Sequence, residues 1–298
     1  MIHEHLLQYR KARYFWWAAA LIVLSIVLYA TQGDAQPPNG GTWQGYVLGT
    51  VGALLIVWLS LLGIRKRRYR STLGTVQGWA SAHVYLGTAL LLVATLHCAG
   101  QFGWNVHTLA YALMAGVIVS GFFGVYSYLV YPHRLSINRA GGTRAELFGE
   151  LYELDKKGRD LARQCDPEVQ LVVASAIERT AIGGGVTSQL MGVDRSRIVR
   201  RGATGGRSTA SASTSNRDQQ AVIGFVATRV PRANKRVEAA NLQGLLSVLC
   251  RRQAILRRIR RDIRLQGWLA VWLYVHVPLT VALLGALTVH ILSTFFYW

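Results

Sequence analysis

The chain has 298 residues, 51% of them hydrophobic and only 16% charged, yet its 33 Lys and Arg against 14 Asp and Glu give a formal charge of +19. Apolar and basic residues must therefore be segregated along it, which argues against a soluble domain with a mixed surface. Its three cysteines, Cys98, Cys165 and Cys250, form no C-x-x-C and no C-x-x-C-H, so nothing indicates a disulfide framework, a zinc ribbon, an iron–sulfur cluster or covalently attached haem.

Five stretches approach or exceed the roughly 20 apolar helical residues that cross a hydrocarbon core: Tyr14 to Ala30, Tyr46 to Ile64, Gly78 to Ala99, His107 to Tyr131 and Trp268 to Phe296. The first follows Arg10, Lys11 and Arg13. Its length and the cluster Phe15, Trp16, Trp17 favour a retained anchor over a cleaved secretory signal. No Asp, Glu, Lys or Arg lies within any span, which argues against an ion-coupled transporter or proton pump.

Orientation follows from the basic residues, because short loops rich in Lys and Arg stay cytoplasmic. Three precede the first span, five lie between Arg65 and Arg70, and 25 lie between Pro132 and Gly267. The loops Thr31 to Gly45 and Gly100 to Val106 have none. The expectation is a multi-pass protein of the bacterial inner membrane, amino terminus cytoplasmic and carboxy terminus periplasmic. A positive face toward anionic membrane lipid accounts for the excess charge, so no nucleic-acid partner is expected.

The third span, GWASAHVYLGTALLLVATLHCA, carries His83 and His97. The fourth opens with His107 at the expected periplasmic side, where the ring is placed to bond a cofactor propionate or a quinol hydroxyl, and contains Gly116, Gly121 and Gly124. His133 and Arg134 follow it on the cytoplasmic side as candidate counter-charges to propionates. His3 and His5 read as plain surface residues.

Residues 132–267 form the only sizeable soluble part. Thr143 to Thr180 has the charge pattern of two amphipathic helices broken near Asp166-Pro167. In Ala181 to Gly192, three consecutive glycines lack any nucleotide fingerprint. Residues 196–220, rich in Gly, Ser, Thr and Arg, are expected to be a disordered linker. Val237 to Gln266 returns to helical periodicity with many arginines and is expected to lie at the membrane interface as it enters span five. A docking face for an acidic partner is the alternative.

Span five, WLAVWLYVHVPLTVALLGALTVHILSTFFYW, carries His276 and His290. In both spans the histidines are 14 positions apart, which returns to within about 40° of one helix face and climbs about 21 Å. Spans three and five run in the same direction, so depths match. His83 pairs with His276 near the cytoplasmic surface, and His97 with His290 near the periplasmic one. Neutral imidazole is a standard iron ligand, and the pattern predicts two haems, each held by one axial pair.

H-x13-H on a third span and again on a fifth, with a cytoplasmic connection after span four, resembles the ferric-reductase-like and NADPH-oxidase-like transmembrane domain. More loosely it is similar to the bis-histidine core of quinol-oxidising cytochromes b. The resemblance covers about 100 residues of spans three to five, and implies two six-coordinate haems b relaying electrons across a helical bundle. Departures are a sixth span and flavin and nicotinamide domains, which do not follow span five here, so an electron donor is expected from elsewhere.

The expected architecture is thus an all-α integral membrane protein: residues 1–131 with spans one to four, a partly disordered helical cytoplasmic insert at 132–267, and span five at 268–298. The expected role is an electron-transfer subunit of a respiratory redox complex rather than a complete enzyme. Its expected partners are a cytochrome c or iron–sulfur subunit, with the quinone pool as a further candidate. A stand-alone transmembrane quinol or ferric reductase is one alternative; a haem-free protein whose histidines bind zinc or carry protons is another.

Overall fold

In a computed structural model, the described residues are 6–32, 39–68, 70, 72–201, 211–233 and 235–296. The elements in order are α1 (Tyr9–Ala30), α2 (Trp43–Ser60), α3 (Leu62–Arg67), α4 (Val76–Cys98), α5 (Val106–Arg139), α6 (Arg144–Arg163), α7 (Pro167–Glu178), α8 (Val186–Met191), β1 (Arg197–Arg201), β2 (Ser211–Ser215), α9 (Gln220–Ala227) and α10 (Arg236–Phe296), with short 3₁₀ turns between some of them. Among the described residues, the regular structure apart from one hairpin is helical. Five helical segments are long and apolar enough to cross a membrane. His3 and His5 lie outside the described residues.

Two compact units emerge, one of residues 1–130 with 271–298 and one of residues 131–270. In the first, threonines set the starts of two spans: Thr42 Oγ1 accepts from Gly45 N–H ahead of α2, and Thr75 Oγ1 from Gly78 N–H ahead of α4, each satisfying an orphan donor of the first turn. Tyr85 on α4 donates to Leu7 O and Thr75 to the Tyr9 hydroxyl, which tie α1 to α4. An apolar layer then joins four helices, with Ile56 and Leu59 of α2, Leu90 of α4, Met114 of α5, and Leu283 and Leu287 of α10 packed together.

The second unit folds around α10. Thr143 caps α6 and Asp166 caps α7, whose first residue is Pro167; proline suits that position because its missing N–H would be unpaired anyway. Leu147, Leu151 and Leu154 of α6 meet Val248, Ile255, Leu256 and Ile259 of α10. Val169, Val172, Val173 and Ala176 of α7 meet Leu242, Leu245 and Leu249 further back along α10. The stripe that suggested an interface-lying helix at Val237 to Gln266 is therefore consumed inside this unit. An i, i+3, i+4 pattern fits a protein core as well as a lipid surface, and α6 and α7 supply the complementary stripes.

The expected linker at 196–220 also departs from expectation. Its described residues pair as an antiparallel hairpin, Arg197 opposite Ser215 through Arg201 opposite Ser211. Ile198 and Val199 decide this: both are buried, Ile198 in the same core as α7, and Val199 N–H donates to the Ser175 hydroxyl. Residues 202–210 lie outside the described set.

Arginines of α10 fix the connecting loops. Arg252, almost fully buried, bonds Asp155, Gln219 and Thr180 at 2.5, 2.7 and 2.9 Å. Arg260 pairs with Asp194 at 2.8 Å, while its burial lowers its own pKa. The Arg257 guanidinium holds the Asp218 carboxyl below the usual carboxylate range. Ion pairs this well bonded satisfy buried charge, and their loss costs more than their presence adds.

Candidate functional site

The four span histidines lie in the first unit, on α4 and α10, and each makes a hydrogen bond through Nδ1. His83 Nδ1 is 3.1 Å from Leu59 O of α2, and His97 Nδ1 is 2.8 Å from Gly45 O of α2. A carbonyl oxygen only accepts, so both imidazoles carry the proton on Nδ1 and leave the lone pair on Nε2. His276 Nδ1 is 2.7 Å from the Ser120 hydroxyl of α5, which itself donates to Val117 O. With that hydroxyl proton committed, His276 is the donor and its lone pair is again on Nε2. His290 Nδ1 is hydrogen-bonded to His107 Nδ1.

Such a pattern matters because histidines that bind metal usually donate their other N–H to a carbonyl or similar acceptor, which sets tautomer and ring orientation. Distances add to it. The His97 and His290 ring centres are 6.1 Å apart, with the rings at 80°. Two imidazoles binding one metal from opposite sides, with bonds of about 2 Å, have ring centres about 6 Å apart. His107 does not suit that role opposite His290, because its ring centre is only 4.4 Å away. The two histidine levels are separated by the apolar layer of Leu90, Met114, Leu283 and Leu287.

Glycines make the seats. A Cβ on Gly49 of α2 would stand 2.7 Å from His97 Cε1, closer than real contacts allow. At the other level a Cβ on Gly124 of α5 would stand 2.1 Å from the Trp272 indole, and that indole donates to Ser120 O at 2.8 Å. Trp272 in turn packs on His276, ring centres 5.4 Å apart. The helix carries His276 through Pro278 without a break, and the Thr280 hydroxyl donates to His276 O.

In the sequence Gly124 is legible only as one of three glycines of span four, and Gly49, Ser120 and Trp272 carry no signal at all, because their roles depend on which helix faces which. Arg134 and His133 are exposed and belong to the second unit. Arg65, at the base of the first unit, bonds Arg68 O and Gly74 O and holds the turn into α4. Among the described residues no three His, Cys, Asp or Glu side chains cluster closely enough to hold a metal ion by themselves.

No family model, curated protein or solved structure matches the chain.

Proposed function

We propose that this chain is a dihaem b-type cytochrome that passes electrons across the bacterial inner membrane as a subunit of a redox complex. The observation that carries the reading is the common use of Nδ1 at all four span histidines, which in His83, His97 and His276 leaves Nε2 as the donor atom for iron. His83 and His276 would hold the cytoplasmic-side haem, and His97 and His290 the periplasmic-side one. Bound haem supplies reversible one-electron chemistry at iron; the chain supplies ligands, tautomer control and dry surroundings that tune each potential. Two histidines committed to each haem would leave no ligand position for a substrate, which favours electron relay over catalysis. Donor and acceptor then come from partner proteins, a cytochrome c or an iron–sulfur subunit, or from the quinone pool.

The test is a dithionite-reduced minus oxidised visible spectrum of detergent-purified protein with a pyridine haemochrome assay. Two haems b per chain are expected, and one in each of His83→Ala and His290→Ala. Protein expressed with ample haem that shows no visible spectrum would overturn the reading.

A further inference from the structure

We propose that α8 and its flanking loop form a membrane-interface foot that seats the second unit on lipid phosphates and the acyl boundary beneath them. Val186, Met191 and Val193 leave 64%, 76% and 44% of their surface exposed, which is unusual for three apolar side chains within eight residues of a folded, basic unit. The segment is a built one. Val193 N–H donates to Ser188 O, and the Gln189 amide donates to Gly184 O at 2.8 Å.

What covers this face follows from where it is pinned. Leu190 packs on Gly267, whose absent Cβ would stand 3.2 Å from Leu190 Cδ2. Gly267 is the last residue before the uncharged run from Trp268 to Phe296, and α10 continues through it as helix. α8 is thereby held at the depth where α10 enters the bilayer. Arg264, one turn earlier, lies against Gly192, and both it and Arg261 are exposed.

A neighbouring face of α10 repeats the arrangement with unrelated residues. Arg144 of α6 bonds Gln266 at 2.9 Å and lies over the ring of Phe148, itself partly exposed. Apolar side chains interleaved with arginines at one depth suit a bilayer interface, where the apolar parts enter the acyl boundary and the guanidinium groups meet phosphates. This assignment depends on span five and not on haem. It also differs from the expectation for Val237 to Gln266, whose apolar stripe is already buried.

The experiment uses full-length protein in phosphatidylcholine–phosphatidylglycerol nanodiscs, with an environment-sensitive fluorophore on a single cysteine and a spin label near the lipid headgroup as quencher. Met191→Cys, made in a background lacking the three native cysteines, is compared with protein retaining only Cys250. Cys250 is exposed and lies about 25 Å back along α10 from Gly267. The label at position 191 should be quenched severalfold more strongly than the label at 250. Equal quenching at the two positions would overturn the proposal and point to a protein partner on this face. Val193→Cys carries the same expectation should Met191→Cys fail to assemble.

Discussion

His107 is the residue whose role changes most between sequence and structure. A histidine opening a span reads as an interfacial group facing propionate or quinol, but it stands ring-edge to ring-face with His290 and shares a hydrogen bond with its Nδ1. On the dihaem proposal His290 would donate from Nδ1 to His107, and a neutral acceptor there would make its imidazole more electron-donating and favour ferric iron. His107→Ala should keep both haems and raise the midpoint potential of the periplasmic-side haem by on the order of tens of millivolts. The other haem should be unmoved. Redox titration of the variant checks this; loss of that haem outright would make His107 a ligand instead. The spacing of 14 residues was legible in the chain, whereas Leu59 O and Gly45 O were not. They are backbone atoms of another helix, and no side chain announces them.

At the scale of elements, the first unit is tuned by two close approaches, Gly49 against His97 and Gly124 against Trp272. Adding a methyl where the Cβ would stand at 2.7 or 2.1 Å forces a helix or a ring to move, and overpacking of this kind costs about 1–3 kcal/mol. The two glycines serve different levels, so their effects should separate. On the dihaem proposal, Gly49→Ala should lower occupancy or shift the spectrum of the haem assigned to His97, and Gly124→Ala that of the haem assigned to His276. Low-temperature difference spectra, which resolve two haems b, provide the readout. If either variant alters both haems equally, the two levels are not independent. The helices themselves were readable from apolar length. The hairpin at Arg197 to Ser215 was not, because two buried residues, Ile198 and Val199, outweigh a polar average. The basic helix was misplaced because amphipathicity alone does not say whether lipid or protein takes the apolar stripe.

For the molecule as a whole, the proposed electron relay depends on sidedness, since it needs each haem near a defined membrane face. All 33 basic residues fall in segments expected on one side, 25 of them between Pro132 and Gly267, and that bias normally sets orientation during insertion. Cys250 reports it directly. It is exposed on α10 within the second unit, whereas burial pushes the Cys165 thiol pKa up and so disfavours its reactive thiolate. In a variant with Cys98 and Cys165 replaced by Ala, a membrane-impermeant maleimide should label Cys250 in inside-out vesicles and not in intact spheroplasts. Labelling in spheroplasts would invert the topology, place the His83 and His276 level at the periplasmic face, and exchange the compartments from which donor and acceptor must come. A thiol equally reactive in both preparations would mean insertion in two orientations, which a strong basic bias on one side opposes and which a one-way electron path does not tolerate.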